Sequence, residues 1–462
     1  MLWVGVLLLV CSPWVMVSRA YDLDPDDPKS VKYVAGRVAQ KLMEFYPGEN
    51  PGRIPGLFDY PPYYWWEAGA VFGALVDYWY YTGDTTYNGP TTRALIHQAG
   101  PGKNYMPHNQ TSAMGNDDQA FWALAAMNAA EKKFPDPPPE EPQWLALVQA
   151  VFNLQVKRLR EEEATYNCGG GLRWQAIPLN GGYDYKNTIS NGCFFQLGAR
   201  LARYTGNDTY AEWAEKIWDW TEKIGFITPE YSIIDGGWIN ATSNCTTRSE
   251  IRWSYNAGVY LGGAAFMYDY TKKDIWKERI DKMLDYTFGY FFPGNNDIMV
   301  ESACETLNPP SCNVDQRSFK AYLSRFLTYV RILAPWTAPR IATKIKASSI
   351  AAAKRCSRGQ DQNTCGLRWY TPVDEWEGMW GVGEQLAALE VIQSNLVKES
   401  PEEFADSKTG TSIGDPSAGG DVELDLSHGL KPVTTADKGG AGTLTGLVAL
   451  AMLGLSWWLM KP

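Results

Sequence analysis

Two kinds of apolar pattern alternate along the chain and predict helices of two kinds. In one kind, apolar residues recur every three or four positions, so each helix buries a single stripe. In the other kind, apolar and small residues fill almost every position, which is typical of helices buried on all sides. Helices of the second kind begin near residues 64, 116, 187, 252, 316 and 377. Their spacing of roughly 50 to 70 residues fits one pair of helices with its loops.

This alternation predicts an all-α fold, an (α/α)6 barrel in which six inner helices rich in Gly and Ala are surrounded by six outer helices. Strand signals are sparse, and residues 171–179 and 232–239 predict short hairpins on the rim. The barrel domain is predicted at 21–398. From 399 to 442 the composition changes to Ser, Gly, Pro, Thr and acidic residues, which predicts a disordered stalk.

Both ends of the chain carry apolar segments outside the barrel. Residues 1–20 contain an apolar stretch and end on a small-x-small pattern, which predicts a secretory signal peptide. Residues 443–462 are apolar and follow the polar stalk, an order that predicts a removed GPI signal with its attachment residue within 427–440. A transmembrane anchor is the alternative, but the apolar segment is barely long enough to span a bilayer and only Lys461 follows it.

The predicted signals indicate a protein that is exported and held at the outer face of the plasma membrane. Four Asn-x-Ser/Thr sequons agree with export and predict N-glycosylation on exposed loops. They lie at Asn109, Asn207, Asn240 and Asn244.

The mature chain has an odd number of cysteines. One of the eight lies in the signal peptide, which leaves seven. At least one of these is therefore free or paired with another chain in an oxidising compartment. Cys304 with Cys312 and Cys356 with Cys365 would each close a short loop between helices. Cys193 lies inside a strong helical pattern and is the candidate for a buried free thiol.

Charge and composition exclude several classes of function. The formal net charge of −10 argues against nucleic acids and anionic membrane surfaces as partners. The chain has three histidines, and its sequence lacks cysteine pairs with zinc spacing and phosphate-loop glycine patterns. We therefore predict no metal, no cofactor and no histidine-based nucleophile. We expect the protein to act as a monomer.

Asp117 and Asp118 lie side by side at the start of an inner helix, in the stretch GNDDQAFWALAAMNAAE. One interpretation is a helix cap, because Asn116 is a favoured N-cap, Gln119 completes a capping box, and acidic residues suit the helix dipole. The other is a catalytic pair, because adjacent carboxylates near a cavity repel each other and lose hydration, a cost that capping does not require. Their Cβ atoms, about 5 to 6 Å apart, match the carboxyl separation of retaining glycosidases, about 5 Å, better than the wider inverting separation.

Several motifs together resemble glycoside hydrolase family 76. They are the Asp-Asp pair, RWQ at 173–175, YKNTISNG at 185–192, WSYNAGVYLGGA at 253–264 and GVGEQLAALE late in the chain. The resemblance covers residues 21–397. With the two terminal signals, the chain is similar to the fungal GPI-anchored members, which are endo-1,6-α-mannosidase-like proteins of cell-wall assembly.

The resemblance implies a retaining glycosidase or transglycosidase that acts on α-1,6-mannosidic linkages. It implies Asp117 as the nucleophile and Asp118 as the general acid/base, although the residues alone would permit the reverse. The donor would be a mannose-containing glycan, either the GPI core or α-1,6-mannan. With cell-wall glucan as acceptor, the enzyme would join GPI-anchored glycoproteins to the wall. The rival hypotheses are a catalytically weak carbohydrate-binding scaffold and a different (α/α)6 chemistry, such as a lyase or an inverting hydrolase.

Polar and aromatic residues at the ends of the inner helices are predicted to contact the sugar, because aromatic faces stack on the apolar faces of carbohydrates. Trp122, one turn after Asp118 on the same face, is the first candidate. The others are Asn116, Tyr64, Trp65, Trp66, Trp174, Asn187, Asn191, Tyr255, Asn256, Asp315, Lys320 and Trp380. For each of them, a core position or a helix cap is the competing interpretation. Glu67 and Asp184 are further carboxylates that a salt bridge or a cap would explain equally well.

Overall fold

Thirteen α-helices and five short β-strands form the part of the chain that the computed structural model describes. That part comprises residues 20–165, 167–239, 244–359, 362–372, 375–398, 403–419 and 435–459. Some predictions fall outside it. They are the signal peptide up to residue 19, the sequon at Asn240, the stalk at 399–402 and 420–434, and with the latter most of the GPI attachment region.

Twelve of the helices build the barrel. In chain order they are α1 Pro28–Glu44, α2 Trp65–Thr82, α3 Asn88–His97, α4 Asn116–Glu131, α5 Trp144–Thr165, α6 Thr188–Thr205, α7 Asp208–Lys223, α8 Ser254–Thr271, α9 Asp274–Phe291, α10 Phe319–Leu333, α11 Ala338–Arg355 and α12 Val382–Gln393. The even-numbered helices pack each against the next, and α12 packs against α2, so they form an inner ring. The odd-numbered helices pack around that ring. The predicted (α/α)6 fold is confirmed.

The inner helices approach one another closely where the sequence has glycine. A β-carbon at Gly258 would lie 2.9 Å from the Cα of Leu323, so α8 and α10 can pack at this distance only without a side chain there. In the same way, a β-carbon at Gly69 would lie 2.8 Å from the ring of Trp122. These contacts are the physical reason for the small residues that mark the inner helices in the sequence.

The inner helices begin at one end of the barrel and end at the other. Residues at the starts of α2, α4, α6, α8 and α10 line one pocket. The opposite end is filled by a buried polar network, in which Arg200 pairs with Glu131 at 2.6 Å and Arg325 pairs with Glu390. The pocket therefore lies where helix N-termini converge, and their N–H groups stabilise negative charge there.

Short strands lie in the loops between helices. They are β1 Tyr185–Asn187, β2 Gly236–Trp238 and β3 Arg248–Ser249, which form an antiparallel sheet, and β4 Cys356–Arg358, which pairs with β5 Thr364–Cys365. The strand predicted at 232–239 is present as β2. The strand predicted at 171–179 is not formed, because Gln175 makes only an isolated bridge with Gly115. Even so, this bridge joins the loop to the start of α4.

Three disulfides occur within the described residues. Two are the predicted local bridges, Cys304–Cys312 and Cys356–Cys365, which are confirmed. The third, Cys168–Cys245, joins cysteines 77 positions apart, a separation for which the sequence gives no local signal. Cys193 is buried and free, as predicted.

Residues 403–419, here called the C-terminal strap, pack against the barrel. Phe404 is buried at the end opposite the pocket, with its ring centroid 5.1 Å from that of Phe266 and 4.9 Å from that of Tyr329. The backbone N–H of Ala405 donates to the carbonyl oxygen of Glu131 at 2.8 Å. The strap thus covers the last turn of α4.

Further along, the strap follows the outer helix α5. The N–H of Leu145 donates to Ser412 Oγ at 3.0 Å, and Asn153 Nδ2 donates to the carbonyl oxygen of Ala418 at 2.8 Å. The folded unit therefore extends to residue 419, and the predicted boundary at 398 is too early. Polar composition misled the prediction, because the strap is held by hydrogen bonds of its backbone and by the buried side chains of Phe404 and Ala405.

The remaining helix, α13 Thr435–Leu459, contains the segment Lys438–Trp457, which is long and apolar enough to cross a membrane and has none of its length buried. Such a segment is compatible with the predicted GPI signal and equally with the transmembrane alternative. The sequons at Asn109, Asn207 and Asn244 are exposed, and their glycosylation stays a prediction.

Candidate active site

A pocket of about 180 Å³ opens at the end of the barrel where the inner helices begin. Its walls are formed by Trp66, Asp117, Asp118, Phe121, Trp174, Tyr185, Asn187, Asp235, Tyr255, Asp315 and Phe319. Seven of these eleven residues are among those predicted to react with or contact a substrate. The pocket combines four carboxyl groups with aromatic side chains, a composition suited to acid-assisted chemistry on a sugar.

Asp117 and Asp118 occupy the first turn of α4. The N-cap is Gly115, and its N–H donates to Asp118 Oδ2 at 2.7 Å. Asp117 Oδ1 accepts from the N–H of Asp118 at 3.0 Å, and Asp117 Oδ2 accepts from Asn187 Nδ2 at 3.1 Å. Both carboxyl groups are therefore fixed by hydrogen bonds while they face the same pocket.

The predicted cap residues have a different role. Asn116 is the first residue of α4 rather than its cap. Arg158 donates to Asn116 Oδ1 at 2.6 Å and to Gln119 Oε1 at 2.8 Å, and Asn116 Nδ2 donates to the carbonyl oxygen of Arg173 at 2.9 Å. Asn116 is buried and does not line the pocket. These bonds hold the start of α4 against α5 and the loop before β1, so Asn116 supports the turn that carries the aspartates.

The aspartate pair is protonated more readily than isolated aspartates. Burial raises the pKa of Asp118 to about 6. Burial and the neighbouring Asp118 carboxylate raise the pKa of Asp117 well above its ordinary value, whereas the hydrogen bond from Asn187 and the N–H of Asp118 act in the opposite direction. Because two adjacent buried carboxyl groups do not both ionise readily near neutral pH, the pair holds one proton. An acid and a carboxylate then lie side by side.

Asp315 brings a further acidic group to the pocket wall. Its Oδ1 accepts a hydrogen bond from Trp66 Nε1 at 3.1 Å, and burial raises its pKa. Burial is the larger cause of the raised pKa of Asp118, and the negative charge of Asp315 raises that pKa further. Behind it, Glu67 is fully buried with no hydrogen-bond partner for either oxygen among the described residues, and burial together with Asp315 and Glu384 raises its pKa. This acidic wall favours a protonated Asp118.

Comparison with known proteins identifies the family of this chain. The family model of glycosyl hydrolase family 76 matches residues 30–407. The chain belongs to this family. It is 45% identical over 446 residues to mannan endo-1,6-alpha-mannosidase DCW1 of Candida glabrata, covering 95% of this chain and 96% of that protein. Among solved structures, Dfg5 from Chaetomium thermophilum in complex with glucosamine is 42% identical with a TM-score of 0.80, covering 86% of this chain and 97% of that one.

A more distant structure shares the fold. It is an inactive variant of the α-1,6-mannanase GH76A of Salegentibacter, with two consecutive aspartates replaced by alanine, in complex with α-1,6-mannotetrose. It has a TM-score of 0.59 and 16% identity, and it covers 79% of this chain and 98% of that one.

Four pocket residues of this family 76 chain are not among the predicted contacts, namely Phe121, Tyr185, Asp235 and Phe319. Tyr185 donates to Asp235 Oδ2 at 2.7 Å, and Phe319 stacks on Tyr255 with ring centroids 3.8 Å apart. Tyr185 begins the YKNTISNG motif and Asp235 lies in the predicted strand at 232–239. The sequence gives no other indication that these two residues belong to the site. They come together only because β1 pairs with β2.

Trp122, the first candidate for sugar contact, lies in the core instead. It has no exposed surface, and its ring is stacked between those of Trp65 and Tyr105, with centroids 5.4 and 5.7 Å away. Trp65 is also largely buried, and its Nε1 donates to Gln98 at 2.8 Å. Trp122 lies one helical turn after Asp118, on a face of α4 that packs against α2 and does not face the pocket. Trp122 and Trp65 therefore belong to the core of the barrel and do not line the pocket.

Three polar candidates are buried behind the pocket. Asn191 exchanges hydrogen bonds with the backbone of Leu172, at 2.7 and 3.0 Å, and thereby holds the loop before β1. Lys320 pairs with Glu305 at 2.6 Å. Asn256 is fully buried in α8. None of these three residues lines the pocket, so their contact with a sugar stays a prediction.

Two aromatic candidates lie outside the pocket on the surface. Tyr64 is half exposed and packs beside Tyr60, with ring centroids 5.4 Å apart. Trp380 is 54% exposed and lies in a different groove. Neither residue lines the pocket that holds the aspartate pair.

Proposed function

We propose that this family 76 chain cleaves α-1,6-mannosidic linkages with retention of anomeric configuration. The observation that carries the proposal is the pair of adjacent carboxyl groups, Asp117 and Asp118, which line the same aromatic pocket and whose pKa values are raised by burial. Retaining glycosidases need one acid and one carboxylate at short separation. The α-1,6-mannosidic substrate is supported by the activity named for the Candida glabrata relative.

The proposed reaction has two steps. Asp118 protonates the leaving glycosidic oxygen while Asp117 attacks the anomeric carbon, which forms a mannosyl ester on Asp117 and frees the leaving sugar. Asp118, now ionised, then removes a proton from the acceptor hydroxyl as that oxygen displaces Asp117. The assignment of roles follows the family resemblance: the hydrogen bonds from Asn187 and the Asp118 amide stabilise the ionised form of Asp117, whereas burial and the Asp118 charge raise its pKa and oppose that form.

The acceptor decides whether the reaction is hydrolysis or transfer. A protein that is exported and held by a GPI anchor beside the cell wall would meet polysaccharide hydroxyls at high local concentration, which favours transfer over water. We therefore include transfer of a mannose-containing glycan, such as a GPI core, to cell-wall glucan in the proposal. This step would link GPI-anchored glycoproteins to the wall.

Incubating the purified enzyme with α-1,6-mannobiose and glucan oligosaccharides tests the reaction and its outcome. We expect the first-formed mannose product to be the α-anomer when it is followed by proton NMR, and we expect a mannosylated glucan oligosaccharide detectable by mass spectrometry. Release of β-mannose would refute retention. Release of free mannose without any glucan conjugate would refute transfer while leaving the hydrolase intact.

Replacing Asp315 by asparagine is expected to move the alkaline limb of the pH profile to lower pH. The reaction needs protonated Asp118, whose pKa is raised to about 6, so kcat/KM should fall as the pH rises above that value. The Asp315 carboxylate contributes to this elevation, and asparagine removes the charge while keeping an oxygen for Trp66. Profiles of kcat/KM on mannobiose should show the midpoint lower by about 0.5 to 1 pH unit.

The matched control is Asp184→Asn, which removes an exposed carboxylate outside the pocket. That variant should leave the midpoint in place. If Asp315→Asn behaves like the control, Asp315 does not influence the catalytic acid.

A further inference from the structure

A second groove lies on the barrel, separate from the pocket of the aspartate pair. It has a volume of about 770 Å³ and is lined by Lys41, Glu44, Arg358, Gly359, Thr364, Trp376 and Trp380. None of these residues lines the catalytic pocket. They come from the end of α1, from the β4–β5 hairpin and from the loop before α12.

The groove lies at the same end of the barrel as the catalytic pocket. Trp380 precedes the first turn of α12, and the N–H of Val382 donates to the hydroxyl of Tyr63, just before α2, at 3.4 Å. Gln385 Nε2 donates to the carbonyl oxygen of Val38 at 3.3 Å, which places the second half of α1 beside the start of α12. Since the inner helices begin at the pocket end, a ligand in the groove is on the catalytic face.

The tryptophans of the groove are positioned by neighbouring side chains. Trp380 packs against Phe45, with ring centroids 6.0 Å apart, yet 54% of its surface is exposed. Trp376 lies 5.5 Å from the guanidinium of Arg358 and 5.9 Å from that of Arg355. Two tryptophans that line one groove rimmed by polar side chains form the kind of apolar surface that marks a ligand-binding groove.

The polar groups of the groove fit hydroxyl groups better than a strong charge. Lys41 and Glu44 form an ion pair at 2.8 Å, and the hydroxyl of Thr364 and the guanidinium of Arg358 complete the polar lining. Positive and negative groups are thus mixed, which disfavours a polyanion. Aromatic faces beside charged hydrogen-bonding groups suit the two sides of a hexopyranose, its apolar C–H face and its hydroxyl edge.

We infer that this groove binds a neutral polysaccharide chain and holds it on the catalytic face. The small catalytic pocket, about 180 Å³, has room for few sugar units, so a polymer gains from a second point of attachment through effective concentration. Naming the polymer rests on the proposed function: it is α-1,6-mannan if the groove holds the donor, and cell-wall glucan if it holds the acceptor. Both offer the same chemistry of neutral hexose units.

The test measures binding by a chain that cannot turn over its substrate, so that it does not depend on the proposed reaction. Asp117→Asn with Asp118→Asn serves as the background, and migration is followed on native gels containing α-1,6-mannan or β-glucan. Adding Trp380→Ala should weaken retention by at least one of the polymers about tenfold, the equivalent of about 1.4 kcal/mol. Trp380→Tyr, which keeps an aromatic face, should restore most of it. Trp213→Ala, on the outer helix α7, should not change retention.

The outcomes separate the sources and the failures. A loss with mannan alone identifies the donor, a loss with glucan alone identifies the acceptor, and a loss with both identifies a general polysaccharide site. Equal retention of both polymers by the Trp380→Ala and Trp213→Ala proteins would overturn the inference. A thermal unfolding midpoint within about 2 °C of the background shows that a loss is not caused by unfolding. Inactivity of the wild-type enzyme on mannobiose would instead refute the proposed function and leave the binding result standing.

Discussion

Asp117→Asn should lower kcat on α-1,6-mannobiose by about 10⁴-fold, the scale seen when a nucleophile that works with other groups is removed. Asparagine has nearly the same shape and keeps an oxygen to accept from the N–H of Asp118, as Asp117 Oδ1 does at 3.0 Å. The loss would therefore reflect the missing nucleophile and not a disturbed helix start. The measurement is steady-state kinetics, with the thermal unfolding midpoint as a check on folding.

Asp118→Asn is the companion variant and should behave differently. Its oxygen can still accept from the N–H of Gly115, as Asp118 does at 2.7 Å, so the start of α4 stays capped. We expect a loss of about 10² to 10⁴-fold on mannobiose and a much smaller loss on an aryl mannoside, whose leaving group needs no proton. Activity above a tenth of wild type in both variants would show that the aspartate pair does not catalyse the reaction.

Gly115→Ala should lower kcat/KM by about 10²-fold, although the substitution lies outside the aspartate pair. A β-carbon there would collide with Asp117 Oδ1 and lie 3.1 Å from Asp118 Oδ2 and 3.3 Å from the carbonyl oxygen of Trp174. The backbone, with φ −82° and ψ 157°, is open to alanine. We therefore expect the variant to fold normally with the Asp117 carboxylate displaced. Steady-state kinetics would measure the loss of activity, and thermal unfolding would measure the stability.

Gly181→Ala is the matched control for this prediction. It lies in a different loop, between α5 and β1, where a β-carbon meets nothing within 4 Å. Its activity should equal that of the wild type. Full activity of Gly115→Ala would show that Asp117 has room to move, and an equal drop in activity and in folded fraction would show a stability effect instead.

The helices of the barrel could be predicted because their patterns are local. Apolar residues that recur every three or four positions indicate a helix with one buried face. Small residues on the inner helices indicate close packing between helices, as at Gly258, which lies against Leu323. The start of α12 illustrates the limit. The pattern places it near residue 377, but the helix begins at Val382, because Gly381 has a φ of 155° and interrupts the helix.

Site residues that lie next to each other on one helix could be predicted from the sequence. Site residues that come together from distant segments of the chain could not. The aspartate pair is visible as two charges on an apolar helix. Asp235 is not, because only the register of β1 and β2 brings it to Tyr185. The prediction that Trp122 contacts sugar was wrong because helical periodicity shows which face of a helix is buried but not what packs against it. The ring of Trp122 packs against the rings of Trp65 and Tyr105 instead of facing the pocket.

The C-terminal strap determines how the protein would respond to mechanical tension. A pull on the chain beyond residue 419 would first shear the hydrogen bonds along α5, such as that from Asn153 to Ala418. Only after these had parted would the load reach Phe404 and the inner ring, at the end opposite the pocket. Local detachment of an outer segment costs less than opening the core. A chain held at a surface and pulled by a polymer would thus yield at its flank while Asp117 and Asp118 kept their geometry.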